Sequence, residues 1–298
     1  MSLAAGSATS GKTGALAMQL NTTGSTIYVP HGGFNPGIST GRSIIGLVNN
    51  TSFSSNEYVG VTTSGFSLSC PLILGLHNAN WFAKVLGYVA GDNDGSNYHL
   101  LTNFPDDAGS SPVVYARCKF GTMRQTITAS DGPGSVIGMS FSGLCLDPES
   151  GSVAALAAPS AGPLSNSGIL GYAETNPVVG GNTLDGWSQI DITVNVTLVR
   201  VPGVLPGTNT AYPHLGKGAL ATNLSGSVTI TQIRNAQYTV SENQLILNFG
   251  STGAGIAESL SLMPMGGSKP TGLGLNMVQQ QFALKSISGE SPITWTDL

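Results

Sequence analysis

Residues 188 to 200 read S-Q-I-D-I-T-V-N-V-T-L-V-R, so that Ile190, Ile192, Val194, Val196 and Leu198 recur at every second position. A period of two puts these five on one face of a pleated strand and the polar residues on the other, whereas a helix requires apolar residues at three- and four-residue spacings. The chain must therefore build at least one sheet with a core side and a polar side.

Other strand-like runs bounded by turn residues surround this one. In the first half they are Ser43 to Val48, Phe66 to Leu72, Val113 to Phe120, Met123 to Ala129 and Val136 to Leu146. In the second they are Ser225 to Ile233, Gln244 to Phe249, Leu260 to Met265, Leu273 to Val278 and Gln281 to Ile287, with an extended end from Ile293 to Leu298. The 41 glycines work against helix throughout, since each costs about 1 kcal/mol relative to alanine in a helix interior. One segment departs from this pattern: Trp81, Phe82, Val85 and Leu86 stand at helical spacing behind Asn78, a residue suited to cap a helix start.

The expectation is an all-β protein of two tandem sandwich- or barrel-like domains, with one short helix in the first. A flexible arm would span residues 1–24, the first domain 25–161 and the second 162–298. The boundary near Gly162 falls in an Ala/Ser/Pro/Gly-rich stretch, Asp147 to Ser167, that has no periodicity. A long polar loop holding Asp92, Asp94, Asp106 and Asp107 is expected between Gly87 and Pro112. The halves hold similar numbers of strands without a visible sequence repeat.

Charge separates the function classes. Lys+Arg 11 and Asp+Glu 15 make 26 charged residues, where an ordinary soluble domain of this length carries roughly 75. Hydrophobic content of 40 % and a net charge of −4 argue for a packed core and against disorder. A folded chain with so few charges is expected to bury much of its surface against other protein copies, because charged residues are depleted where interfaces form. The absence of a Lys/Arg run, with the acidic balance, excludes gripping nucleic acid by its phosphates. No charged start followed by an apolar segment occurs in Met1 to Gln19, and no apolar run has membrane-helix length, so neither a signal peptide nor membrane insertion is expected. Cys70, Cys118 and Cys145, odd in number and set in apolar runs, are expected to be buried free thiols.

Catalytic motifs are thin. Gly6 to Thr13, G-S-A-T-S-G-K-T, satisfies the phosphate-loop pattern, but a working loop hangs between a buried strand and a helix within a βαβ succession, and none is visible. His31, His77, His99 and His214 are scattered without a nucleophile elbow. The D-N-D-G run at Asp92 lacks the later acidic ligands of a calcium loop. Sequons at Asn21, Asn50, Asn195 and Asn223 matter only in a secreted chain. No catalytic, cofactor-binding or metal-binding residue is assigned, and the chain is expected not to be an enzyme.

Three segments carry a family resemblance. Trp187 to Asn195, then Pro213-His214-Leu215-Gly216-Lys217-Gly218, then Gly226 to Ile230, resemble the strand, loop and glycine-serine segment of the tail tube (major tail) proteins of long-tailed bacteriophages, with Lys217 where that pattern often has a basic residue. Gln279 to Lys285 leading to Pro292-Ile293-Thr294-Trp295 is similar to the family's closing strand, and the first half matches its order of strands, short helix and strands. The resemblance implies a virion protein, made in the host bacterial cytoplasm, whose sheets join those of its neighbours into trimeric pseudo-hexameric or hexameric rings. Stacked rings would form the conduit for genome ejection, with a tape measure protein and DNA in the lumen held without specific binding, other tail proteins at its ends and no membrane contact. Residues 1–24 and 87–112 are the expected ring-to-ring contacts. The competing classes are a capsid decoration or other virion surface protein and an adhesin-like binding module.

Overall fold

The computed structural model describes residues 16–20, 26–29, 33–49, 52–74, 77–86, 99–103, 113–130, 135–147, 168–201, 204–205, 214–215, 218–233, 236, 243–251, 254–265, 271–272, 277–285 and 291–298. In chain order the strands are β1 (Leu16–Leu20), β2 (Thr26–Val29), β3 (Gly33–Asn49), β4 (Ser52–Pro71), β5 (His99–Asn103), β6 (Val113–Thr128), β7 (Gly138–Asp147), β8 (Thr175–Val179), β9 (Asn182–Thr183), β10 (Trp187–Val201), β11 (Val204–Leu205), β12 (His214–Leu215), β13 (Gly218–Ile233), β14 (Asn243–Ser251), β15 (Ala254–Pro264), β16 (Thr271–Gly272), β17 (Met277–Leu284) and β18 (Ile293–Asp297). Among the described residues one α-helix, α1 (Ala79–Leu86), and one short 3-10 helix, Tyr172–Glu174, interrupt them. The fold is all-β and sandwich-like, as the alternating segments require.

Its principal layer runs β3-β4-β7-β6-β10-β13-β17, every neighbour antiparallel. Register aligns Cys70, Met139, Gln125, Ile192, Val228 and Phe282 in one inward row across six of these strands, and all six are buried. The second layer is β8-β14-β15, with β15 pairing β18 over Ile256–Leu260 and β17 over Leu262–Pro264. Because β17 belongs to both layers, the sheet turns a corner there and brings Leu245, Leu247, Phe249, Leu260 and Leu262 into the same hydrophobic cluster as the first layer.

Val113 to Phe120 and Met123 to Ala129 read as two strands in the sequence, yet β6 is continuous. Gly121 marks a register shift between Phe120 and Thr122, a bulge that bends the strand without ending it. Before the bend β6 pairs β5, and after it β10.

Two expectations need correction. Residues 16–20 of the supposed arm form β1, and the polar loop contains β5. These pair with each other, and Leu16, Ala17, Met18 and Leu101 are fully buried. Residues 1–15, most of that loop and the boundary near Gly162 lie outside the described residues. Strands on the two sides of that boundary pair directly, β6 with β10, and the hydrophobic cluster draws on both halves.

The helix expectation holds. The Asn78 side chain accepts the Trp81 N–H at 2.8 Å, satisfying a donor that the first turn leaves free. Trp81, Phe82, Val85 and Leu86 are buried. Phe82 stacks on Trp295 of β18 at 5.0 Å and 5°, and Trp81 meets Phe141 of β7 edge-on at 5.6 Å. No helix among the described residues is long and apolar enough to cross a membrane.

Candidate functional site

The structure separates the residues that could carry chemistry. Gly6 to Thr13, His31, Asp92, Asp94, Asp106, Asp107 and Lys217 lie outside the described residues. His99 stands on β5, opposite Leu20 and Cys118, and His214 on β12, opposite Thr62. His77 is buried before α1, its Nδ1 accepting the Ile73 N–H at 2.8 Å. Burial pushes its pKa down to about 4, against the raising effect of that hydrogen bond, so the ring is neutral at physiological pH. Cys70, Cys118 and Cys145 are free and buried; burial drives the Cys70 thiol up to about 12, where it is no nucleophile. Among the described residues no group of His, Cys, Asp and Glu is arranged to hold a metal ion.

Two extended surfaces stand out instead. The first is the β3–β4 hairpin, which pairs continuously from Gly33↔Ser69 to Asn49↔Ser52 with one irregularity between Thr40 and Arg42. β7 covers β4 only from Ser64 to Pro71, and a single parallel pairing joins Thr62 to His214. Beyond that point, Arg42–Asn49 and Ser52–Val59 pair only with each other among the described residues. At about 3.3 Å per residue the free part of the hairpin extends roughly 25 Å. Both of its edges present rows of backbone N–H and C=O groups with no strand beside them among the described residues, a ready template for another strand.

The second surface is the outer side of the principal layer. Register sets Ser69, Ser140, Arg124, Thr193, Ser227 and Ala283 in one row. The next row holds Ser67, Ser142, Thr122, Asn195 and Ser225. On the other side lie Thr126, Asp191, Thr229 and Gln281. Local bonds tie part of this face together: the Thr122 hydroxyl donates to Asn195 Oδ1 at 3.2 Å, and the Gln189 amide to Asp191 Oδ2 at 2.6 Å. A shallow groove of about 400 Å³ crosses it, lined by Ser67, Ser69, Thr122, Arg124 and Ser140 among others.

The polar face was half visible in the sequence as the complement of the β10 alternation. Of the hairpin only Ser43 to Val48 in β3 and Phe66 to Pro71 in β4 were visible as strands, because G-F-N-P-G-I-S-T-G-R and S-F-S-S-N-E-Y-V-G-V mix glycine and polar residues without a period. No family model matches the chain, and no curated protein sequence matches it.

Proposed function

We propose that this chain is a structural virion protein that assembles into stacked rings forming the tail tube of a long-tailed bacteriophage, the conduit for genome ejection. The observation that carries the reading is the free part of the β3–β4 hairpin, with two backbone edges and no strand beside either among the described residues. An edge of this length is an aggregation hazard in a monomer and a joining device in an assembly. Adding strands of neighbouring copies to it satisfies those groups, and a head-to-tail contact of this kind closes into a ring when its rotation allows. The low charge supports the same reading: 26 charged residues leave most of the surface free to meet other copies without desolvating ions.

In this reading the partners are further copies of the chain, a tape measure protein and DNA within the lumen, and other tail proteins at the ends. Negative-stain electron microscopy of the purified protein at rising concentration tests it. Hollow rings and tubes are the expected result. Small monodisperse particles at every concentration would reject the tube and favour a capsid decoration protein or a binding module.

A further inference from the structure

We propose that Cys118 of β6 and Cys145 of β7 are a site of oxidative modification: exposed to hydrogen peroxide, their thiols join in a cross-strand disulfide that staples the two strands. Neither thiol belongs to the tube reading, and the pairing stands on the register of one ladder and the burial of its side chains.

Register sets Cys118 directly opposite Cys145. Residues opposed on antiparallel strands put their side chains on the same face, and here that face is the inward one, with Cys118 at 0 % and Cys145 at 2 % exposure. Opposed α-carbons stand about 4.5 or 5.5 Å apart, according to whether the pair exchanges backbone hydrogen bonds. Both spacings fall in the range of roughly 4.4–6.8 Å that a disulfide spans, so the bond needs side-chain rotation and little backbone movement. The Cys118 thiol donates to the Tyr115 carbonyl oxygen at 3.4 Å, a weak bond that the rotation gives up. The same ladders exclude the third cysteine. Cys70 opposes Met139 of β7, which at about 3.3 Å per residue lies roughly 20 Å along that strand from Cys145.

The pair lies near one end of its ladder, where the outermost pairing is Ala116↔Asp147 and β7 stops. Ladder ends open more often than the whole fold does, and such an opening admits a molecule as small as peroxide. A buried thiol is mostly protonated, so its reaction is slow beside that of an exposed thiolate. In the first step the sulfur of one cysteine, as the thiolate, attacks a peroxide oxygen and the O–O bond breaks. A sulfenic acid forms, and the departing hydroxide takes up the proton that the thiol released, giving water. In the second, the opposing sulfur attacks the sulfenic sulfur; the S–S bond forms and the hydroxyl leaves with the second thiol's proton as another water. Two thiols lose two electrons, and one peroxide is reduced to two waters. In a reducing compartment the pair stays a dithiol. Once formed, the bridge closes a loop from Cys118 to Cys145 and restricts the unfolded chain far more than the folded one. It also fixes β6 to β7 just before the bend at Gly121.

The intact, fully reduced chain is held with millimolar hydrogen peroxide for several hours, then denatured, alkylated and digested without reductant for mass spectrometry. The expected product is a linked peptide pair joining Cys118 to Cys145, lighter by two hydrogens than the two thiol peptides together, with Cys70 recovered alkylated. The oxidised protein should melt about 5 °C or more above the reduced one, and a thiol reductant should abolish that gain. Such a reductant leaves methionine sulfoxide in place, so oxidation of the exposed Met263 and Met265 is not its source. Cys145→Ala should gain nothing from peroxide; where that variant does not fold, the reductant control on the unsubstituted chain carries the comparison. Recovery of Cys118 and Cys145 as free thiols or as separate sulfinic acids, or a bridge that includes Cys70, overturns the pairing. A bridge with no reversible rise in melting temperature overturns the staple.

Discussion

Glu258 on β15 and Gln125 on β6 face each other across the interior, both about 1 % exposed, and neither completes a well-formed hydrogen bond. Gln125 is the one polar member of an otherwise apolar inward row, and Glu258 lies between Leu247 and Trp295 in register. Desolvation pushes the Glu258 carboxyl up to about 8, partly offset by the neighbouring amide of Gln125. Below that pH the side chain is a neutral acid in a nearly dry core.

The sign of the pH dependence follows. A folded-state pKa raised above the ordinary value of 4.5 means that the folded chain binds a proton the unfolded chain has released. The contribution of Glu258 to stability is therefore greatest below pH 4.5, falls as pH rises from 4.5 to about 8, and is level above that. Glu258→Gln should abolish this slope and stabilise the protein at pH 8 by about 1–3 kcal/mol, the cost of a poorly satisfied buried polar group. Urea denaturation of both proteins at several pH values checks this; an unchanged slope in the variant would remove Glu258 as its cause.

His77 sets the opposite trend on the acid side. Its folded-state value of about 4 lies below the ordinary 6.5, so the unfolded chain takes up a proton first and stability falls as pH drops through that interval. The ring also packs edge-on against Trp81 at 4.5 Å. His77→Phe should flatten stability between pH 6.5 and 4 while lowering it overall by about 1–2 kcal/mol, because the Ile73 N–H loses its acceptor. Thermal melts at pH 7 and 5 measure both effects.

How far the sequence disclosed this arrangement depended on whether each segment was long enough to show a period. β10 did so through five alternating apolar residues, and α1 through four aromatic and aliphatic residues behind a cap. β1 and β5, five residues each, are too short for alternation to declare itself, and only their mutual pairing and burial make them strands. Glu258 occupies an inward position between Ile256 and Leu260, so the period was present, but an acid within it reads as a surface residue and cuts the apparent strand short. The hairpin is least legible, because its order comes from pairing with itself across a long register, a relation between distant residues that local composition does not record.

Gly143 on β7 is a position that only glycine fills. A β-carbon there would stand 2.1 Å from the Lys119 carbonyl oxygen and 2.6 Å from the ring of Phe66, its cross-strand partner. Phe66 in turn packs edge-on against Phe120 at 4.9 Å, so the ring cannot retreat without disturbing the core. Gly143→Ala should therefore destabilise by about 1–3 kcal/mol, the usual cost of overpacking. A shift of the chemical denaturation midpoint with an unchanged slope is the expected signature.

Thiol chemistry reads the core directly. Cys118 is fully buried, its Sγ lying 3.4 Å from the Tyr115 carbonyl oxygen, and Cys145 opposes it across the β6–β7 ladder. In the native protein a disulfide reagent should find no reactive thiol within minutes, and all three should react in denaturant. Rapid reaction of one of the three in native buffer would show that its strand opens well below global unfolding.

Shortening the β3–β4 hairpin separates assembly from folding. Replacing residues 43–58 by an Asn-Gly turn would close the ladder at Arg42↔Val59 and keep every pairing from Gly33 to Thr40 and from Ser64 to Pro71. Asn-Gly suits a two-residue hairpin because both positions accept the positive φ that such a turn needs. The residues removed pair only with one another among those described, so the shortened protein should melt within a few degrees of the original, the shift that about 1 kcal/mol brings in a chain of this size. It should also remain monomeric at concentrations where the intact chain forms rings. Sedimentation velocity and electron microscopy on both proteins distinguish the outcomes: a folded monomer assigns assembly to the hairpin edges, and tubes formed without them would move the joining surface elsewhere on the sheet.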